Sequence, residues 1–562
     1  MSVVHINNLQ VNFNTLDGVV NAVNDVNITV NKGEVVAIVG ESGSGKSVTA
    51  MSILQLHPTH YTNYAKGSII YENINLLQTT TKQIQKIRGN DIAMVFQEPM
   101  TSLNPVMPCG KQITEAIQKH QLVNYTTAKV TVLQLFEAVQ LPLPTETFNK
   151  YPHQLSGGQK QRVMIAMAMS CNPKLLICDE PTTALDVTVQ KNILQLLKQL
   201  QKQNDLSILF ISHDLGLVYE IADSIVVMYK GSIVEQGTKH QIFTAPNHPY
   251  TKALLACRPA LYPKGVRLPV VADFLNTTTN NAIVQHSTTI TATAPSTTPL
   301  FEINNVTIQY PTKHNIIGKV TESYTAINNI NFTIYRNEIL GLVGESGCGK
   351  TTIGRALLQL QPITNGKIYY QNKNIKTFTL LQKAAYTKAV QMVFQDPYSS
   401  LNPRLTIGSA IAETILVNKI CTTKLAAKQL VLDLLQKVEL KPEHYNRYPH
   451  EFSGGQRQRI VIARALATNP QFMVCDESVS ALDVSVQAQI LNLLNDLKRT
   501  IGFTLLFISH DLSVVQYLCD RIIVMQKGEI VETNTATNII QFPQHEYTKK
   551  LIAAMPSVLN KS

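Results

Sequence analysis

Short runs of apolar residues recur along the chain, and each run ends in polar or glycine-rich positions, which predicts buried strands. Three pairs of runs are the clearest: 35–39 with 339–343, 175–178 with 472–475, and 208–211 with 505–508. Helix-like stretches follow these runs, as in an α/β protein. Because open α/β sheets bind ligands beyond the carboxyl ends of their strands, the polar residues there are the candidates for a site.

The paired runs belong to an internal duplication. From position 156 onward, matching residues lie 297 positions apart: Ser156 and Ser453, Asp179 and Asp476, His213 and His510, and the segments His248-Pro-Tyr-Thr and His545-Glu-Tyr-Thr. A constant offset across separated motifs indicates a repeat rather than chance. The 562 residues therefore predict two similar units, 1–260 and 301–562, and a Thr/Asn-rich linker over 261–300.

Composition limits the class of protein. Residues 276–299 are rich in Thr, Asn, Ser and Pro and predict a flexible segment that spans about 25–30 Å as a random coil. No apolar run approaches the roughly 18 residues of a membrane span, and the first residues do not form a secretion signal, so we expect a cytosolic chain. The eight cysteines occur singly, which disfavours zinc sites and disulfides. The net charge of +11 does not by itself identify a binding partner.

Two segments fit the phosphate-binding pattern G-x-x-x-x-G-K-[ST], each between a predicted strand and a predicted helix. Glycines permit a tight loop whose N–H groups surround a phosphate, the lysine reaches the β- and γ-phosphates, and the hydroxyl ligates Mg²⁺. The predicted ATP-binding residues are Gly40, Ser42, Gly43, Gly45, Lys46 and Ser47 in the first unit and Gly344, Ser346, Gly347, Gly349, Lys350 and Thr351 in the second.

Adjacent acids follow the second pair of predicted strands: Asp179-Glu180 and Asp476-Glu477. The first acid of each pair is suited to hold Mg²⁺, and the second to orient or deprotonate an attacking water. Acidic residues also favour the first turn of a helix without any catalytic role. Downstream of a phosphate-binding loop, the catalytic interpretation is the stronger one.

Ser156-Gly-Gly-Gln159 and Ser453-Gly-Gly-Gln456 open two helix-like stretches, and glycine-rich helix starts bind anions. Preceded by Leu155 and Phe452, they resemble the Leu-Ser-Gly-Gly-Gln signature of the ATP-binding cassette (ABC) family. The resemblance covers nearly all of the chain except the linker. It implies an α/β fold with two P-loop NTPase nucleotide-binding domains in tandem, each with a RecA-like α/β core and a helical signature subdomain.

The resemblance implies roles for further residues. They are the Q-loop glutamines Gln97 and Gln395, which also ligate metal, the switch histidines His213 and His510, the D-loop residues Asp186 and Asp483, and the adenine-stacking rings Phe13 and Tyr310, with Tyr324 as an alternative in the second half. Packing in the core is an open alternative for these rings.

Head-to-tail pairing of the two cassettes is also implied by the resemblance. Each ATP would then lie between one phosphate-binding loop and the opposite signature: Ser453, Gly454 and Gly455 complete the first site, and Ser156, Gly157 and Gly158 the second. Both sites have an acid at the catalytic position, so we expect both to hydrolyse ATP. Ser478 departs from the usual Asp-Glu-Pro sequence.

Longer segments narrow the resemblance. Residues 97–105, 151–156 and 178–186 resemble the first ATPase of dipeptide and oligopeptide importers, and residues 395–404 and 448–453 resemble its partner ATPase. This implies an ATP hydrolase on the cytoplasmic face of the bacterial plasma membrane that powers import of short peptides. Its partners would be two membrane permease subunits and usually a substrate-binding protein, and not nucleic acid.

Other importers share such ATPases, so glutathione, nickel chelates and peptide antibiotics stay open as cargo. The short Thr-rich linker and the absence of zinc cysteines and coiled-coil patterns disfavour tandem-cassette ATPases of ribosomes or DNA repair. Some relatives of this type carry an iron–sulfur cluster near the end of the first cassette. Cys257 alone cannot hold a cluster.

Overall fold

The computed structural model describes residues 2–15, 18–98, 102–183, 185–275, 296–314, 320–480 and 482–555. Residues up to 256, together with 271–275, form one unit, and residues 257–270 group with the described residues from 296 onward in the other. Positions 276–295 of the predicted linker lie outside the described residues.

A six-stranded sheet carries the predicted strands of the first unit. Its strands are β3 (Val35–Val39), β6 (Ile92–Val95), β7 (Leu175–Asp179), β8 (Ser207–Ser212), β9 (Ser224–Tyr229) and β10 (Ser232–Thr238), in the spatial order β10-β9-β3-β8-β7-β6. All pairs are parallel except that of β9 with β10. Every residue of β3, β7 and β8 is buried, which explains their continuous apolar sequences. The three predicted strands are confirmed.

A second sheet in this unit is antiparallel and was not predicted. It contains β1 (Ser2–Thr15), β2 (Gly18–Asn31), β4 (Thr62–Tyr71) and β5 (Ile74–Asn75), in the order β2-β1-β4-β5. The two sheets share one core, in which Ile6 of β1, Ile38 of β3 and Ile177 of β7 belong to the same buried cluster. This core fixes the strand ends that carry the site residues.

The helices of the first unit are α1 (Lys46–Ile53), α2 (Thr81–Ile87), α3 (Cys109–Gln121), α4 (Tyr125–Ala138), α5 (Pro144–Asn149), α6 (Gly157–Ala168), α7 (Val187–Asn204), α8 (Leu215–Ile221), α9 (Lys239–Thr244), α10 (Pro249–Ala256) and α11 (Val271–Leu275). Helices α3 to α6 pack together and form the helical subdomain that the resemblance implied. Within the described ranges, no helix has the length and apolarity that a bilayer span requires.

The second unit repeats this architecture. Its antiparallel sheet has the order β12-β11-β14-β15 and comprises β11 (Pro299–His314), β12 (Val320–Tyr335), β14 (Asn365–Tyr370) and β15 (Lys373–Asn374). Its larger sheet has the order β16-β17-β18-β13-β19-β20 and comprises β13 (Ile339–Val343), β16 (Val390–Val393), β17 (Phe472–Asp476), β18 (Thr504–Ile508), β19 (Arg521–Gln526) and β20 (Glu529–Thr535). The predicted strands of this half are therefore also confirmed.

The described helices of the second unit follow the order of α1–α10 in the first, except that a 3-10 helix (Pro442–Asn446) takes the place of α5. They are α12 (Lys350–Leu357), α13 (Leu380–Ala389), α14 (Ile407–Val417), α15 (Lys424–Lys437), α16 (Gly454–Leu466), α17 (Val484–Ile501), α18 (Leu512–Leu518), α19 (Ala536–Gln541) and α20 (Glu546–Ala553). Helices α14 to α16 supply its helical subdomain.

Residues 257–270 pack with the second unit, although they follow the first unit along the chain. Asn492 of α17 accepts the N–H of Leu268 at 3.0 Å and donates to the Leu268 carbonyl oxygen at 2.8 Å. The Tyr517 hydroxyl donates to the carbonyl oxygen of Val266 at 2.8 Å. Two ion pairs flank these bonds: Lys264 with Asp520 and Arg267 with Asp496. The first part of the predicted linker 261–300 is thus packed chain, while the domain limits at 260 and 300 stay predictions.

The residues of the second unit that make these contacts are not repeated in the first unit. In the first unit, the positions equivalent to Asn492, Asp496 and Tyr517 carry other side chains: Gln195, Gln199 and Glu220. Gln195 is exposed, whereas Asn492 is 3% exposed.

We predict that Asn492→Ala lowers the free energy of unfolding of the second unit by about 2–4 kcal/mol, because the buried N–H and carbonyl of Leu268 lose their partners. Chemical denaturation of the full chain measures this loss. Gln195→Ala, at the equivalent exposed position, is the control and should change stability by less than about 0.5 kcal/mol. Equal small effects of both substitutions would contradict the interpretation.

Candidate nucleotide-binding sites

The two phosphate-binding loops join the first central strand of each unit to a helix. Gly45 and Gly349 directly precede α1 and α12 with φ of 99° and 107°, conformations that favour glycine. Lys46 Nζ donates to the carbonyl oxygens of Gly40 and Glu41 at 2.7 and 2.8 Å. Both loop lysines are about 95% buried, at 5% and 4% exposure. The loops are thus closed around their lysines as expected for phosphate binding.

The loop hydroxyl of each unit contacts the first acid. Ser47 Oγ donates to Asp179 Oδ1 at 2.9 Å, and Thr351 Oγ1 donates to Asp476 Oδ1 at 3.0 Å. Burial raises the pKa of both aspartates, the neighbouring glutamates raise it further, and the hydroxyl bonds oppose the rise. A bound cation would relieve the cost of an ionised buried carboxylate at these positions.

These oxygen donors fit Mg²⁺. Mg²⁺ prefers six oxygen ligands. Protein hydroxyl and carboxylate oxygens can supply some of them, and waters and substrate phosphates supply the others. Among the described residues, no group of three or more His, Cys, Asp and Glu side chains is arranged as metal ligands. The one hydroxyl and one carboxylate in each unit fit a metal whose other ligands come from a nucleotide and waters.

The second acid of each unit lies in a cluster with the switch histidine and the Q-loop glutamine. Glu180 Oε1 is 3.1 Å from His213 Nδ1, and Gln97 Nε2 donates to Glu180 Oε2 at 3.1 Å. In the second unit, Glu477 Oε1 is 3.7 Å from His510 Nδ1, and Gln395 Nε2 donates to Glu477 Oε2 at 2.8 Å. The residues that the resemblance grouped are thus brought together in both units.

The strand register explains this cluster. Asp179 of β7 lies opposite Ile211 of β8, so the residues just after the two parallel strands emerge side by side. Glu180 leaves the strand in a left-handed conformation, with φ of 46°, and Glu477 repeats it with φ of 45°. Such a conformation is uncommon outside glycine and persists where the surroundings enforce it.

The environment gives the two adjacent acids opposite tendencies. Burial raises the pKa of Glu180, but the hydrogen bond and charge of His213, together with Thr183 and Lys46, outweigh burial, so the net pKa lies below the usual value. Glu477 shows the same net lowering through His510. Each glutamate therefore stays ionised at neutral pH and is suited to orient a water molecule, while the aspartate beside it is suited to a cation.

The signature segments start helices α6 and α16. Ser156 and Ser453 are the exposed N-cap residues, and each forms a reciprocal capping box with the glutamine three positions later. The residues before the two serines, Leu155 and Phe452, are both buried, at 6% and 3% exposure. Phenylalanine in place of the usual leucine at position 452 therefore replaces one buried apolar side chain with another. The signature serines and the first glycine of each segment are exposed, whereas Gly455 is buried. These exposed positions lie at a helix start, which favours anions.

The adenine-stacking predictions fall on partly buried rings. Phe13 of β1 makes an edge contact with His57 at 5.3 Å between ring centroids. Tyr310 of β11 places its hydroxyl oxygen 3.5 Å from Thr352 Oγ1, next to the loop residue Thr351, and pairs in register with the exposed Tyr324. Their role in adenine binding stays a prediction.

The D-loop aspartates occupy equivalent places. Asp186 and Asp483 are the N-cap residues of α7 and α17, the helices that follow the acidic pairs.

One member of the first cluster was missed at the sequence level. Thr183 Oγ1 donates to Glu180 Oε2 at 2.9 Å, and its counterpart Ser480 instead donates to the carbonyl oxygen of Glu477 at 2.9 Å. The only signal was the position of Thr183 three residues after the glutamate, within the segment 178–186.

Comparison with protein families agrees with this geometry. The ABC transporter family matches residues 23–183 and 327–480, once in each unit. The chain therefore belongs to the ABC transporter family, as an ATP-binding subunit with two cassettes whose ATP hydrolysis is coupled to transport. The family of the oligopeptide/dipeptide transporter C-terminal region also matches, at residues 234–280 and 531–562, which places the chain in the peptide-importer branch.

Three full-length relatives resemble the chain closely. The glutathione import ATP-binding protein GsiA of Pectobacterium atrosepticum is 45% identical over 99% of this chain and 89% of its own length. GsiA of Salmonella typhimurium is 45% identical and GsiA of Escherichia coli O6:H1 is 44% identical, each over 99% of this chain and 89% of its own length. Similarity of this extent covers both cassettes and the segment between them.

Glycine is required at one signature position by packing within the cassette. A Cβ on Gly455 would lie 2.2 Å from Val486 Cγ1 on α17, whereas the nearest atom to a Cβ on Gly454 is at 3.7 Å. We predict that Gly455→Ala lowers the free energy of unfolding by about 1–3 kcal/mol through overpacking. Gly454→Ala is the matched control, with an expected change below about 0.5 kcal/mol in chemical denaturation. An equal loss in both variants would show that close approach of α16 and α17 is not the reason.

Proposed function

We propose that each cassette binds MgATP with its phosphate-binding loop and hydrolyses it with the Glu–His–Gln cluster at the edge of its larger sheet. The observation that carries the proposal is that this cluster is assembled around Glu180 and again around Glu477, with the same partners. Duplication of the sequence alone would not require both copies to keep the geometry.

The roles follow from the chemistry of the groups. Lys46 and Lys350 neutralise the β- and γ-phosphates, and the loop N–H groups surround them. Ser47 with Asp179, and Thr351 with Asp476, would hold Mg²⁺, and Gln97 and Gln395 would reach the same ion. The ion supplies positive charge that neutralises the phosphate oxygens. Glu180 and Glu477 orient the attacking water, and His213 and His510 hold these carboxylates in place.

Phe13 and Tyr310 are proposed to stack on adenine, which would add affinity without selecting a base by hydrogen bonds.

We further propose that the cassettes pair head to tail. The first site is then completed by Ser453, Gly454 and Gly455, and the second by Ser156, Gly157 and Gly158. Exposed, capped helix starts at both signatures support this, because such a helix start favours the γ-phosphate of a nucleotide presented by another surface. Binding of ATP would close the pair, and hydrolysis with release of phosphate would reopen it.

The pairing predicts which substitutions damage the same site. In a chain carrying Glu180→Gln and Glu477→Gln, we expect two ATP molecules to be retained. Adding Lys46→Ala and Ser453→Arg should leave one, because both changes affect the first site. Adding Lys46→Ala and Ser156→Arg should leave none. Nucleotide retained per chain after rapid gel filtration measures this outcome, and the reverse pattern would refute head-to-tail pairing.

The permease partners would act on the helical subdomains. A groove of about 440 Å³ in the second unit lies beside the Q-loop and is lined by Phe394, Glu413, Val417 and Arg464, among others. Val417 is 73% exposed and Phe394 is 37% exposed. We propose that a helix of a membrane permease subunit docks there, so that movement of the cassette reaches the transport path. Two permeases and a substrate-binding protein complete the importer, and the chain is peripheral on the cytoplasmic face of the membrane.

The proposed cargo is a short peptide, with glutathione, itself a tripeptide, as the first candidate because the similar full-length proteins are named for glutathione import. We predict that Lys46→Ala with Lys350→Ala abolishes uptake of labelled glutathione or dipeptide in cells that lack other importers for them. Lys32→Ala with Lys498→Ala is the control for the loss of two lysines outside the loops. Unchanged uptake of both compounds would exclude them as cargo and favour metal chelates or peptide antibiotics.

A further inference from the structure

The repeated segments His248-Pro-Tyr-Thr and His545-Glu-Tyr-Thr reach the phosphate-binding loops. The hydroxyl oxygen of Tyr250, at the start of α10, accepts the backbone N–H of Glu41 at 3.0 Å. Tyr547, at the start of α20, makes the same bond with the N–H of Glu345, also at 3.0 Å. The contact joins residues about 200 positions apart and occurs in both units.

The bonded N–H belongs to the peptide unit that also holds the loop lysine. Lys46 Nζ donates to the carbonyl oxygen of Gly40 at 2.7 Å, and Lys350 Nζ donates to that of Gly344 at 2.7 Å. The carbonyl of Gly40 and the N–H of Glu41 are the two ends of one planar group. A tyrosine that fixes the N–H therefore also fixes the direction of the carbonyl that anchors the lysine.

Each tyrosine is itself held firmly. The backbone N–H of Tyr250 donates to His248 Nδ1 at 3.1 Å, and the carboxylate of Glu235 on β10 accepts the N–H of His248 at 3.1 Å. The second unit repeats both bonds at 3.1 Å with its equivalent residues, Tyr547, His545 and Glu532. Tyr250 is fully buried and Tyr547 is 7% exposed. The hydroxyl is thus a preorganised acceptor rather than a mobile surface group.

We infer that Tyr250 and Tyr547 are positioning residues, which set the peptide that anchors the loop lysine and thereby tune the affinity of each cassette for ATP. The inference rests on the proposed role of Lys46 and Lys350 in binding phosphate. An ammonium held by oriented carbonyls meets the phosphates without reorganisation, whereas a rotated peptide would release it. The segment that distinguishes the peptide-importer branch thus contributes to the nucleotide site.

The first test removes only the two hydroxyls. Tyr250→Phe with Tyr547→Phe should weaken binding of MgATP about tenfold, measured by equilibrium dialysis with labelled ATP, because the loop N–H loses its partner. The KM for ATP should rise by the same factor, and kcat should stay within about twofold. Tyr517→Phe is the matched control, since it removes another buried hydroxyl that donates to a backbone carbonyl away from the loops. It should leave ATP affinity unchanged.

A double-mutant cycle separates positioning of the lysine from a general structural effect. In a chain carrying Lys46→Ala and Lys350→Ala, the added Tyr→Phe changes should weaken ATP binding less than about twofold, because the group they position is gone. A further tenfold loss would overturn the inference, as would Tyr→Phe variants that bind ATP like the Tyr517→Phe control. If the lysine variants themselves keep full affinity, the proposed function of the loops fails instead.

Discussion

The contact between a partly buried glutamate and a histidine at the ends of two neighbouring parallel strands organises each cassette. Glu180 and His213 emerge from β7 and β8 side by side because those strands pair in parallel register. Burial raises the pKa of this carboxyl, but the histidine, together with Thr183 and Lys46, brings it below its usual value, so the carboxylate stays ionised. The Q-loop glutamine adds a second bond to the same carboxylate, so the Q-loop contacts the proposed water-orienting group directly.

Much of this could be predicted from the sequence, because the phosphate-binding loops, the acidic pairs and the switch histidines are short motifs that each follow a continuous apolar run. The apolar run 175–178 predicts a buried strand. The two acids that follow it predict which side chains lie at the carboxyl end of that strand. The antiparallel sheet escaped prediction because β2 is largely exposed along its first half and lacks a clear alternation there. The bond of Tyr250 to the loop joins residues 209 positions apart, and no local pattern encodes such a pairing.

The two halves are alike in their sites and differ in their surroundings. Residues 257–270 find Asn492, Asp496 and Tyr517 in the second unit, where the first unit has Gln195, Gln199 and Glu220. The duplication has therefore kept the Glu–His–Gln cluster in both copies, while residues 257–270 pack with the second unit. Ser478, which stands where proline is usual, does not disrupt the second cluster, since Gln395 and His510 still contact Glu477.

The most direct test of two working sites is steady-state ATP hydrolysis by the single variants Glu180→Gln and Glu477→Gln, which keep the size of the side chain and remove its charge. If both clusters are catalytic, each substitution should lower turnover at least tenfold at its own site, as expected for loss of a positioned carboxylate. The loss of turnover is measured as phosphate released per chain, compared with that of the intact protein. Unchanged turnover in either variant would contradict the account and would remove that site from catalysis.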